Sequence, residues 1–134
     1  MNSAVAARCA GRGGAVDSLY VVSLWLMQQQ RYRDAAAVAR ALVRLAPYDE
    51  RSWLVLGACH ERGDETELAL EMYGVGRTLA APAPRCELAR ARLLRQRGMQ
   101  TDACAAYAAA ESAAHDLGDD ALMHFIEKEG TRWD

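Results

Sequence analysis

Three features of this 134-residue sequence predict an all-α fold of stacked helical hairpins. An offset of 34 links Ala35, Ala69 and Ala103; Ser23, Gly57 and Ala91; Ala39, Tyr73 and Tyr107; and Gln30, Asp64 and Gly98. The prolines, Pro47, Pro82 and Pro84, fall where successive hairpins must end, because proline lacks the N–H that a helix interior needs. Alanine runs such as Ala35 to Ala37 and Ala108 to Ala110, in a chain with 7% aromatic residues, leave narrow interior spaces that suit closely packed helices.

Residues 1–15, with Arg8, Arg12 and the Gly13-Gly14 pair, are expected to form a flexible N-terminal tail. The remainder, 16–134, reads as one domain: a first unit at about 16–49, a second at 50–83, a third at 84–117 and a cap at 118–130. Helices are expected near 17–29, 33–45, 50–62, 66–80, 85–97, 101–116 and 119–129, with no strands. In the second unit Trp53 and Leu56 lie three apart on one helical face and Tyr73 lies four after Ala69, so both sets point into the hairpin. Leu19 and Val22 hold the same places in the first unit, whereas Glu87 and Arg90 replace Trp53 and Leu56 in the third. The last segment has Ala121, Leu122, Phe125 and Ile126 spaced for one apolar face, as a helix covering the end of the third hairpin needs. Asp119 or Asp120 is its expected N-terminal cap.

Thirty-four residues is the tetratricopeptide period, and Trp53-x2-Leu56-Gly57 followed by Ala69-x3-Tyr73 reproduces most of that signature, with His60 where tyrosine is preferred. The fold class is therefore three tetratricopeptide-like hairpins in a right-handed superhelix with a C-terminal capping helix.

Composition narrows the function classes. With 16 basic and 18 acidic side chains the formal charge is −2, which speaks against general nucleic-acid binding. The charge is uneven: five arginines face only Glu87 between Arg85 and Arg97, while eight acids face Lys128 and Arg132 from Asp102 to Asp134. Cys9, Cys59, Cys86 and Cys104 form no CxxC pair, and no secretion signal is evident, so a reducing cytoplasm is expected. The longest apolar stretch, Leu19 to Met27, is nine residues interrupted by Ser23, against the roughly 20 that a membrane span requires. His60, His115 and His124 lack partners at ligand spacing, and Cys59 and His60 are helix neighbours whose side chains diverge by about 100°. No catalytic residue, metal site or cofactor is expected.

The first helix of each hairpin builds the concave wall of such a stack. With Trp53 counted as the fourth position of its unit, the wall positions are two, five, nine, twelve and thirteen. They are Asp17, Tyr20, Leu24, Met27 and Gln28; Arg51, Leu54, Ala58, Glu61 and Arg62; and Arg85, Leu88, Arg92, Arg95 and Gln96. This wall is apolar at one end and cationic at the other. An extended peptide would bury small apolar anchors against Tyr20, Leu24, Leu54 and Leu88, with Arg92 and Arg95 taking its carboxylates or carbonyls.

The stretch Leu45-Ala-Pro-Tyr-Asp-Glu-Arg-Ser-Trp-Leu-Val-Leu-Gly-Ala-Cys59, then Leu68-Ala-Leu-x2-Tyr73-x2-Gly76 and Pro84-Arg85, resembles the class II chaperones of bacterial type III secretion, the SycD/LcrH family. Leu19-Tyr20, Tyr32 and Asp34-Ala35 match the first repeat of that family, and the resemblance covers about residues 16–116. It implies a cytoplasmic bacterial virulence chaperone that grips an extended segment of a hydrophobic translocator, or another export substrate, in its concave groove until export. On the register of the repeat, the client-binding residues of that groove are expected to be Tyr20, Leu24, Met27, Arg51, Leu54, Ala58, Arg62, Arg85, Leu88, Arg92 and Arg95. Two departures qualify the match: few residues precede the first repeat, so at most a weak homodimer is expected, and Leu24 and Met27 stand where the family is typically aromatic. The alternatives are a repeat chaperone for a needle or export-control subunit, and a structural adaptor docking on a secretion assembly. Neither nucleic acid binding nor direct membrane insertion is expected.

Overall fold

A computed structural model describes residues 3–132, with side chains from Gly14 onward. The expected domain's last two residues and the Cys9 side chain lie outside the described parts. Among the described residues there are seven helices and no strands: α1 Ser3–Gln28, α2 Tyr32–Leu45, α3 Glu50–Arg62, α4 Thr66–Leu79, α5 Pro84–Gln96, α6 Gln100–Leu117 and α7 Asp120–Gly130. The three expected hairpins are α1–α2, α3–α4 and α5–α6, with α7 packed on α6.

One boundary differs. α1 begins at Ser3, so the backbone of the segment expected as a tail is helical. Ala4, Ala6, Ala7 and Ala10 favour helix, while Gly11, Gly13 and Gly14 each cost roughly 1 kcal/mol relative to alanine.

The small residues at the 34-residue offset make close packing possible. Ser23, Ala91, Ala35, Ala69 and Ala103 are wholly buried, and Gly57 is buried beneath the Tyr73 ring, where any Cβ would collide with it. Large groups occupy the space between: Leu56, Tyr73 and Leu42 are buried, and the Trp53 indole Nε1 donates to the Pro47 carbonyl at 2.7 Å. The set Gln30, Asp64 and Gly98 marks the turn inside each hairpin. All three adopt left-handed backbone, with φ of 59°, 60° and 77°, and only glycine does so without strain.

Successive first helices touch, α1 with α3 and α3 with α5, whereas α2, α4 and α6 do not pack on one another to a comparable degree. The stack therefore curves with α1, α3 and α5 on its inner side.

Candidate functional site

The inner wall begins with a row of ion pairs at position two. Arg51 reaches Asp17 at 3.3 Å and Arg85 reaches Asp119 at 3.6 Å, so residues 17, 51, 85 and 119, each 34 apart, form a ladder across four helices. Asp49 caps α3 through the Arg51 N–H and also holds its guanidinium at 2.9 Å. Those hydrogen bonds from Arg51 keep the Asp49 carboxyl below its ordinary pKa. Glu50 accepts from the Arg85 and Cys86 amides, closing the start of α5 where Pro84 supplies the first turn. Burial raises the Glu50 pKa against the opposing pull of these donors. The Asp-x-Arg and Pro-Arg motifs are thus structural: they fix how the third unit docks on the second.

Above this row the wall is open over the first two units. Tyr20 is half-buried with the Arg51 guanidinium over its ring at 5.4 Å. Leu24 is 38% exposed, Leu54 and Ala58 are half-buried, and Arg62 is exposed. Tyr20, Leu24, Leu54 and Ala58 make an apolar strip there.

Three expectations are corrected. Met27 is not on the wall: at 9% exposure it sits with Leu26 in the core shared by α1, α2 and α3. Position twelve turns into the seam of both leading units, since Glu61 in the same place accepts from the Tyr73 hydroxyl at 2.7 Å. Leu88 is also core, at 4% exposure, because Leu122 and Ile126 of α7 lie against it. Three of the wall arginines are already paired. Arg92 pairs with Glu129 at 3.1 Å beneath the Phe125 ring, and Arg51 and Arg85 are held by the acids of their own chain. Arg95 is exposed, beside Arg92, Glu129 and Arg132 in a small cleft of about 230 Å³.

α7 is therefore the part of the site that sequence reasoning missed. It lies on the wall of α5 as a further first helix in the same register, and the signal was present: Asp119, Leu122, Ile126 and Glu129 follow Arg85, Leu88, Arg92 and Arg95 by 34.

Burial pushes the Cys59 thiol up to about 11 and the Cys86 thiol higher still, so both are protonated at neutral pH. Among the described residues no group of three His, Cys, Asp or Glu side chains is placed to hold a metal ion, and no helix is long and apolar enough to cross a membrane.

No family model matches the chain. Over 88 residues it is 33% identical to the low calcium response locus protein H of Yersinia pestis, a match covering 66% of this chain and 52% of that protein. The matched chain thus spans about half the length of that relative. The Yersinia enterocolitica type III secretion translocator chaperone SycD superposes with a TM-score of 0.74 at 27% identity, covering 85% of this chain and 86% of its own. Pseudomonas aeruginosa PcrH, in complex with the chaperone-binding region of PopD, gives 0.70 at 27% identity, covering 91% and 96%. Over its repeats the chain is thus a homologue of low calcium response locus protein H, and it shares the fold of the type III secretion translocator chaperones SycD and PcrH.

Proposed function

We propose that the chain is a cytoplasmic, non-enzymatic chaperone that holds an extended segment of a translocator subunit and keeps it soluble until export. The observation that carries this reading is the open apolar strip of Tyr20, Leu24, Leu54 and Ala58 on the inner side of α1 and α3. A groove of this kind buries alternate apolar anchors of an extended peptide, while backbone and rim contacts set its direction. The likeness to chaperones solved with translocator segments supports the same choice of client. Because α7 covers the third unit, the anchors are placed on the first two.

Calorimetry with the purified protein and a peptide from the partner translocator tests this. Tyr20→Ala combined with Leu54→Ala should leave helicity and melting temperature nearly unchanged while weakening binding at least about tenfold, the effect of losing interface anchors. Unchanged affinity in the folded double variant would move the client to another face.

A further inference from the structure

Arg51, Arg85 and Arg92 are held by acids of their own chain, but three arginines of α2 are not. Arg33, Arg40 and Arg44 stand at i, i+7 and i+11, so they leave the helix within about 40° of one another and span about 16 Å along its axis. All three are exposed, and among the described residues none is in an ion pair or a side-chain hydrogen bond. Ala37 lies between the first two on the same line and is itself exposed, which keeps the surface low there. In the second unit the same places hold Glu67, Gly74 and Thr78, and in the third Thr101, Ala108 and Ser112. The stripe is therefore a property of the first unit and not a requirement of the repeat.

Arg33 and Arg40 line a cleft of about 870 Å³ between the start of α2 and the end of α3, and Arg44 continues their line one turn beyond Arg40. Both acids that line the cleft are already engaged: Asp34 holds Arg31 at 2.7 Å, and Glu65 meets the His60 Nδ1 at 3.2 Å. Cys59 lines it too. Burial raises the Cys59 pKa and the Arg40 charge opposes that rise, so this guanidinium leans toward the cleft. What remains is a cationic trough whose free guanidiniums are spaced about 10 Å and then about 6 Å along the helix axis. A compact anion meets one or two of them, and a flat anionic bilayer does not enter a cleft. An extended peptide advances about 3.3 Å per residue, so a run of about six residues passes all three arginines, each of which offers a carboxylate two parallel N–H donors.

We propose that this stripe is a second docking site, taking an extended acidic segment of a partner protein whose Asp and Glu carboxylates pair with Arg33, Arg40 and Arg44. Charge complementarity sets the chemistry of the occupant, and the length of the stripe sets its extended form. The chain's own acids on α6 and α7 belong to the far end of the stack, so within one molecule they do not fill it. None of the three arginines is a wall position of the groove, so client and partner are held together without competing.

The test is an amide NMR titration of the intact protein with octaglutamate, with octaglutamine as the uncharged control. Saturable shifts at residues 31–44 and 59–65 that fade as salt is raised, and none with the control, are the predicted result. Arg40→Gln should weaken binding about threefold, and Arg33→Gln, Arg40→Gln and Arg44→Gln together at least about tenfold, with the melting temperature unchanged because the three side chains are exposed. Lys128→Gln removes the same charge from α7 and should change nothing. A translocator peptide should bind the triple variant as it binds the parent, which separates this site from the groove. Equal losses from Arg40→Gln and Lys128→Gln, shifts confined to α1 and the wall of α3, or loss of translocator binding in the folded triple variant would overturn the proposal. So would citrate binding as tightly as octaglutamate, which would make this a small-anion site, or phosphatidylglycerol vesicles binding the parent but not the triple variant. Movement of the same signals on dilution of the unliganded protein would also overturn it, since a second copy would then be the occupant.

Discussion

The second and third units have the same backbone plan, yet the second leaves its inner face open and the third does not. At position five, Leu54 is half-buried and faces the groove, whereas Leu88 is sealed beneath Leu122 and Ile126. At position four the contrast reverses: Trp53 fills the hairpin seam of the second unit, while Glu87 leaves the third with an open cleft. The same register position is therefore core or surface according to what the next element lays over it. In this chain α7 seals position five of the third unit and leaves position four open.

The contrast breaks most visibly at Trp53, where the greatest loss of stability is expected. Trp53→Ala should cost about 3 to 5 kcal/mol, because a large ring and its hydrogen bond leave a well-packed seam. Chemical denaturation would show it as a lowered midpoint. A change under about 1 kcal/mol, the size of an ordinary substitution, would mean the second unit does not depend on this side chain.

Position five gives a paired comparison. Leu88→Ala should cost about 2 to 5 kcal/mol, as for a buried leucine. Leu54→Ala should cost about 1 kcal/mol or less, as for a partly exposed one. Client affinity should respond in the opposite order, falling for Leu54→Ala and holding for folded Leu88→Ala. Equal stability losses at the two sites would erase the distinction between an open and a covered wall.

The joint between the units contributes less, and its contribution depends on pH. Asp49→Ala removes the α3 cap and should cost about 1 kcal/mol at neutral pH. Asp49 has its folded pKa held below the unfolded value by Arg51, so its contribution is full above the usual carboxylate range and is lost as pH falls through the folded value. The difference between variant and parent should therefore shrink on acidification. A gap that widens in acid would assign the capping role to another group.

The smallest expected effect tests the turn positions. Gln30→Gly should raise stability by about 1 kcal/mol by relieving the left-handed backbone that Gly98 adopts freely in the third unit. A melting temperature that falls would show that Gln30 makes a compensating contact.

Most of the fold was legible because the 34-residue offset dictates which residues must be small, which large and which take the turn. Ser23, Gly57 and Ala91 are buried where the repeat demands it, and six of the seven helices lie within two residues of their expected bounds. The start of α1 was not legible, since glycines and alanines in one segment pull its helix propensity both ways. The site was half legible. Register gives the direction of a side chain from its own helix, which was enough for Tyr20 and Leu54. It does not report what packs against that side chain, so Met27 and Leu88 were placed on the surface, and Arg51, Arg85 and Arg92 were expected to be available to a client although Asp17, Glu50 and Glu129 already hold them.

The central claim is that the client lies on the first two units and leaves the third covered. Hydrogen–deuterium exchange of the protein with and without a saturating translocator peptide reads it directly. Local opening slows wherever a bound segment adds contacts, and peptides from α1 and α3 should gain protection while α5 and α7 exchange as before. Protection appearing in α5 together with faster exchange in α7 would show the client displacing that helix, and would contradict the account.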